Sequence, residues 1–269
     1  MTRVPDAIPA RAPAAARGLP SEPGNWGVGT LLRAPHRLAF FLGVTLLAIS
    51  STWWLVVQWG RQAWGPAVPL AMSPTVAHAA VMSLGFFPLF FAGFLFTAGP
   101  KWLGVAAPDA RRLLWPLGFQ STGWVLWLAG AAWLEWLAWV GMLLASMGLI
   151  AMYVRFGLLV RASPAADRLH AQVAVVGGFM GVCALVAAQA ALWHGQTDLA
   201  LLAIRSGLWG CVVVTYLVVA HRMLPFFTAT VLKLVAISSR VGSIFRQMAA
   251  ARAITLTSVV KLSITTSPS

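Results

Sequence analysis

The side chains of this chain best suited to metal chemistry are its histidines, of which the 269 residues contain only five. Two of them, His36 and His221, occur in similar stretches, "APHRLAFF" and "AHRMLPFF", each with a His-Arg pair close to a Phe-Phe pair. Imidazoles that lie at one level on different helices can ligate a haem iron or copper. The neighbouring guanidiniums of Arg37 and Arg222 suit an anionic group such as a haem propionate.

The same residues have a second interpretation as membrane anchors. Histidine and arginine at the end of a membrane helix commonly extend their polar ends toward the lipid headgroups. The residue types alone leave the ligand and the anchor interpretations both open, for His170 as well as for the two His-Arg pairs.

A second candidate metal site lies in the stretch "HAAVM". His78 and Met82 are four residues apart, which places them on one face of a helix. An imidazole with a thioether suits Cu(I), although methionine in a membrane helix is also a common packing residue. Pro88 follows in "GFFPLFFAGFLF" and removes one helical hydrogen bond, so we expect a kink there and a cleft beside it.

The composition indicates what kind of fold positions these residues. The chain is 59% hydrophobic and 9% charged, with a mean hydropathy of +0.81, which predicts an integral membrane protein. Its net charge of +13 is better explained by topological anchors and anionic lipid than by nucleic acid, because no nucleic-acid-binding motif accompanies it. Cys183 and Cys211 lie inside apolar runs, which argues against a disulfide framework or a zinc site.

The apolar runs predict an all-α, polytopic membrane helical bundle with about six transmembrane helices. Gly and Pro residues separate the runs. The predicted spans are roughly 37–59, 76–98, 113–132, 135–160, 169–193 and 199–222.

The distribution of basic residues predicts the orientation of the bundle. The N-terminal segment, the second and fourth connections and the C-terminal segment hold most of the Lys and Arg, whereas the other connections hold only Arg61. Both termini are therefore expected in the cytoplasm. This places His36, His170 and His221 at the cytoplasmic edge and His78 near the outer end, about 30 Å away. One metal cannot bind both groups.

Composition also divides the chain into three parts. Residues 1–35 are rich in Ala, Pro and Arg and are predicted to form a disordered basic tail. Residues 36–235 hold the six-span bundle. Residues 236–269 are predicted to form a basic, Ser/Thr-rich cytoplasmic tail, since no run there is long enough to span a membrane.

Three stretches together resemble the NnrS family of haem- and copper-containing bacterial inner-membrane proteins. They are "APHRLAFF", "HAAVMSLGFFPLFFAGFLFTAGPKWLG" and "AHRMLPFFTA", and the resemblance covers roughly residues 34–232. It implies haem and copper as cofactors, the bacterial inner membrane as the location, and a link to denitrification, nitric oxide and nitrosative stress. It also implies that His36, His78, His170 and His221 are ligands.

The chain departs from that family in two ways. Many members read H-A-H-E-M where this chain has Ala80 and Val81 between His78 and Met82, so its outer site has fewer donors. The family usually has about twelve spans, twice the number predicted here. Because the pattern changes after "PFFTATVLKLVA", we expect an N-terminal half produced by truncation or a shifted reading frame.

The function expected from these observations is a haem- and copper-binding membrane protein of the nitric oxide response. Its expected partners are the lipid bilayer and nitric oxide or a related small molecule, with a homo-oligomer as a further possibility. No nucleophile triad, carboxylate dyad or phosphate-binding loop indicates catalysis, so enzymatic activity stays open.

Three alternatives remain at this point. A half-length transporter of small molecules or metal ions fits the intramembrane Arg205, which we expect to pair with Glu135 or Asp198 or to bind an anion. A non-functional fragment is the second alternative. A di-haem electron carrier is the third, but His78 has only His194 as an outer partner.

Overall fold

A computed structural model of the chain describes residues 27–62, 65, 68–224 and 228. All regular elements in these residues are helices, which confirms the all-α class. Short 3-10 helices, Val28–Arg33 and Ala110–Leu113, precede the first and fourth α-helices. The α-helices are α1 (Pro35–Arg61), α2 (Pro74–Leu95), α3 (Ala98–Leu103), α4 (Leu114–Ala132), α5 (Glu135–Arg161), α6 (Leu169–Trp193) and α7 (Thr197–Leu224).

The long helices coincide with the predicted spans. In the described part of the chain, α1, α2, α5, α6 and α7 are long and apolar enough to cross a membrane. The predicted span at 113–132 is present as α4, which has 19 residues. Three consecutive polar residues, from Gln120 to Thr122, lower its hydropathy below that of the other five, and α4 is not among the candidate spans. The architecture is that of a multi-pass membrane protein.

Successive long helices run in opposite directions. In α4 and α5, Gly123 lies against Ala145, whereas Gly130 lies against Ala138, so the residue numbers decrease on one helix as they rise on the other. Three other pairs of neighbouring helices show the same antiparallel order. The contacts are Gly43–Leu89 and Gly93–Phe40 between α1 and α2, Gly157–Val175 and Ser146–Gln189 between α5 and α6, and Gly177–Gly210 and Gly207–Ala184 between α6 and α7. The helix ends therefore form two groups at the two ends of the bundle.

We name these two ends by their charge. The basic end is where α1, α4 and α6 begin and where α2, α5 and α7 finish. The opposite end is where α1, α4 and α6 finish and where α2, α5 and α7 begin.

The α4–α5 hairpin is packed through glycine. Gly123 and Gly130 on α4 face α5, and Gly141 and Gly148 on α5 face α4; each pair is seven residues apart. A Cβ atom at any of the four would overlap backbone atoms of the facing helix. The two backbones therefore meet directly, as small residues allow in membrane proteins. Only two residues connect these helices, so they form a tight hairpin.

Pro88 lies inside α2, and a residue from α4 compensates for it. The helix is π-helical over Val81–Phe86 and α-helical again over Phe87–Leu95. Proline has no N–H, so the carbonyl of Leu84, four residues earlier, loses its helical partner. The buried Gln120 Nε2 donates a hydrogen bond to this carbonyl at 2.7 Å. A second π-helical segment, Leu208–Val213, lies in α7.

The predicted tails fall mostly outside the described residues. Residues 1–26 and 229–269 lie outside the described residues. The whole predicted C-terminal tail, 236–269, is among them. Within the predicted N-terminal tail, Val28–Arg33 form the 3-10 helix noted above.

Candidate functional site

Two of the three histidines predicted at the cytoplasmic edge are in direct contact. The rings of His170 and His221 stack with their centroids 4.6 Å apart and their planes at 18°. The contact follows from the antiparallel packing, because α6 begins at the end of the bundle where α7 finishes. The Nδ1 atom of His170 is buried and has no hydrogen-bond partner in the described structure. The ring of His221 is exposed.

An ion pair lies beside this stack. Arg222 donates to Asp167 Oδ2 at 2.6 Å, and the backbone N–H of Leu169 donates to Asp167 Oδ1 at 3.3 Å. The hydrogen bond from Leu169, helped by the positive charge of Arg222, holds the pKa of Asp167 below its ordinary value. Arg222, expected to hold an anionic group of a cofactor, is thus engaged by a carboxylate of its own chain.

The first His-Arg pair has different surroundings. The Nδ1 atom of His36 lies 3.5 Å from the Thr97 hydroxyl, between α2 and α3. Arg37 is exposed and donates to the carbonyl of Thr30 at 3.5 Å. Within the described chain, no hydrogen bond, ion pair or ring contact joins this pair to the stacked imidazoles. The two similar sequence stretches therefore lie at the same end of the bundle in separate environments.

At the opposite end, His78 and Met82 are packed against α1. The His78 ring stacks on Trp54 with centroids 4.3 Å apart and planes at 13°. The Nδ1 atom of His78 is buried without a hydrogen-bond partner among the described residues. One turn along, the Ser50 hydroxyl, which donates to the Leu47 carbonyl at 3.1 Å, lies 3.5 Å from the Met82 sulfur. Two pairs with four-residue spacing thus face each other, one from each helix.

The α1 half of this cluster was not predicted from the sequence. Ser50 and Trp54 occur in "AISSTWW", and their four-residue spacing matches that of His78 and Met82. That shared spacing was the one indication in the sequence that the two pairs could face each other. It did not determine the pairing, because two apolar helices offer several registers and only packing selects one.

The donor groups fit the two expected cofactors to different degrees. The free Nδ1 of His78 and the soft thioether sulfur of Met82 suit Cu(I) in low coordination. An iron with two axial imidazoles needs one ring on each face of the porphyrin. Rings stacked at 4.6 Å leave no space for a porphyrin, so His170 and His221 fit a site with a single imidazole ligand.

Other candidate groups do not extend these sites. The described residues contain no group of three or more His, Cys, Asp or Glu side chains arranged to hold a metal ion. In the same part of the chain, Arg205 is exposed and forms no ion pair with Glu135 or Asp198, contrary to expectation. Cys211 is buried with its sulfur 3.6 Å from the Tyr153 hydroxyl.

Comparison with known protein families gave a match over residues 30–267, to the family described as NnrS protein. The match includes every site residue considered above and continues through residues 236–267, whose composition differs from that of the bundle. Comparisons with curated proteins and with solved structures found no match. Because the family match covers most of a chain built from membrane-spanning helices, this chain belongs to the NnrS family.

Proposed function

We propose that this chain is a haem- and copper-binding protein of the bacterial inner membrane that acts in the nitric oxide response, in denitrification and nitrosative-stress tolerance. One observation carries the proposal: the Nδ1 atoms of His78 and His170 are buried and lack hydrogen-bond partners in the described structure. A buried polar atom without a partner costs about 1–3 kcal/mol. Metal ligation that fixes each ring would remove that cost.

His78 and Met82 are the proposed copper ligands. When bound, Cu(I) supplies a centre that binds nitric oxide or a related diatomic molecule. The chain's own contribution is positional: Trp54 stacks on the imidazole, and the Ser50 hydroxyl contacts the thioether sulfur. Such supporting contacts restrict the rings and side chains that ligate a metal.

The basic end offers the haem position. His170 supplies a single imidazole, and His221 fixes the orientation of that ring by stacking on it. His36, whose Nδ1 meets the Thr97 hydroxyl, is the second single-imidazole position at this end. The exposed guanidinium of Arg37 suits a propionate there. Haem, when bound, supplies an iron that binds nitric oxide.

The test combines absorption spectroscopy with elemental analysis of the purified full chain. We expect a Soret band together with bound iron and copper. His170→Ala should remove the Soret band and leave copper in place, whereas His78→Ala should remove copper and leave the Soret band. His194→Ala is the matched control, because this exposed histidine lies outside both clusters, and it should change neither.

Two results decide against the proposal or revise it. A folded protein that is colourless and free of metal would overturn it and favour the transporter alternative. A Soret band that survives His170→Ala but is lost in His36→Ala would show that the haem binds at His36, beside Thr97.

A further inference from the structure

A groove of about 470 Å³ lies between α5 and α6 and opens at the basic end of the molecule. Its polar lining residues are Arg161 at the end of α5, Arg168 directly before α6, and Gln172 in the first turn of α6. Its apolar lining residues are Gly157, Val160, Val175 and Val176. Val160 adjoins Arg161 at the mouth, and the other three lie about one to two turns from the arginines, inside the span. The groove therefore changes from charged to apolar along the helix axes.

The two arginines at the mouth carry charge that no carboxylate neutralises in the described structure. Arg161 is exposed and forms no ion pair in the described part of the chain. Arg168 donates to the carbonyl of Ser163 at 3.4 Å, which holds its guanidinium near the mouth without cancelling its charge. The adjacent carboxylate, Asp167, is engaged by Arg222 on the other side. Two available guanidiniums are suited to bind a phosphate group.

The apolar half of the groove faces outward. Val176 is 60% exposed, so this wall is open to the membrane interior. At Gly157 a Cβ atom would lie 3.7 Å from Val175 Cγ1, in ordinary contact, so the absent side chain leaves room beside α6. A soluble anion would gain nothing from this apolar surface. A phospholipid can contact both halves of the groove, because its charged headgroup and its apolar acyl chain match the charged mouth and the apolar wall.

We propose that this groove binds an anionic phospholipid. The phosphate lies between Arg161 and Arg168, and part of one acyl chain lies along Gly157 and Val175. The proposal is independent of haem and copper, because none of the lining residues belongs to the two histidine clusters.

The first test measures lipid binding to the purified full chain in detergent by native mass spectrometry. Phosphatidylglycerol and phosphatidylcholine with identical acyl chains are the probes. We expect the anionic lipid to bind about 10-fold more tightly or better, and Arg161→Gln with Arg168→Gln to weaken it by about 30-fold, since each arginine contributes about 5-fold. Arg33→Gln with Arg111→Gln is the control, because it removes the same charge from exposed residues outside the groove.

A second variant tests the apolar half. Gly157→Leu fills the groove beside Val175 and should weaken phosphatidylglycerol binding while leaving the arginines in place. Inorganic phosphate at millimolar concentration should fail to displace the lipid. Equal binding of the two lipids, equal losses in the groove and control variants, or full displacement by phosphate would each overturn the proposal. Helical content by circular dichroism verifies that each variant is folded.

Discussion

At the scale of single residues, Asp167 joins the start of α6 to the end of α7. Its two oxygens accept from the Leu169 N–H and from Arg222, which is adjacent to His221. The Asp167 side chain is 62% exposed, so solvent screens the pair and its direct contribution to stability is small. Its larger effect is positional, because it fixes the residue next to the stacked imidazoles.

This carboxylate gives a prediction about acid stability. The Leu169 N–H and the Arg222 charge lower the pKa of folded Asp167, so its contribution is complete above its unfolded pKa of about 4 and is lost as pH falls through the lower folded value. Asp167→Asn should therefore lower the Tm slightly at neutral pH and converge with wild type in acid. The measurement is Tm against pH by tryptophan fluorescence.

The control for that measurement is Asp198→Asn. Asp198 is exposed at the opposite end and forms no ion pair in the described structure, so its variant should follow the wild-type curve at every pH. A constant Tm difference between wild type and Asp167→Asn down to strongly acidic pH would contradict the role given to the carboxylate.

The sequence predicted part of the candidate site at this scale. The four-residue spacing of His78 and Met82 was sufficient to place them on one face, and helix direction was sufficient to put His170 and His221 at one end. Which side chains each histidine contacts was not predictable from the sequence. Whether His221 stacks on His170 or on His36 depends on the order of helices around the bundle, which apolar runs do not encode.

At the scale of elements, helix bounds were predictable and backbone irregularities were not. The apolar runs located the long helices to within a few residues, because membrane thickness sets their length. The π-helical segment Val81–Phe86 had no comparable signal beyond Pro88. Through the Leu84 carbonyl, this segment depends for one hydrogen bond on Gln120, which is 36 positions away in the sequence.

That dependence predicts energetic coupling between α2 and α4. Gln120→Leu leaves the Leu84 carbonyl unpaired and should destabilise the protein by about 1–3 kcal/mol. Pro88→Ala supplies an N–H at the position four residues after Leu84, so the same Gln120 substitution should cost less in that background. Unfolding titrations in SDS–detergent mixtures of both single variants and the double variant measure the coupling free energy.

Additive effects would contradict this account of α2. The pair Ser146→Ala and Pro88→Ala is the control, because Ser146 bonds within α5 and to Gln189 and has no contact with the Leu84 carbonyl. These two substitutions should be additive to within about 0.5 kcal/mol.

At the scale of the whole molecule, charge is concentrated at one end. The antiparallel packing converts an alternation of basic connections along the sequence into a separation in space. The basic end holds Arg33, Arg37, Lys101, Arg111, Arg112, Arg155, Arg161, Arg168 and Arg222. Of the described basic residues, Arg61 is at the opposite end and Arg205 lies about two turns into α7 from that end. Such an asymmetry favours the basic end on the cytoplasmic side.

The orientation is therefore testable with cysteines at the two ends. Ala166 and Gln196 are exposed in connections before and after α6, and Cys183, the exposed native thiol, is replaced by Ala in both variants. In intact spheroplasts a membrane-impermeant maleimide should label Gln196→Cys, and it should label Ala166→Cys only after the membrane is opened. The buried Cys211 gives the background signal. The reverse pattern would show that the basic end faces outward. Equal labelling of both positions in intact spheroplasts would show that α6 does not cross the membrane, since the two connections would then lie on one side.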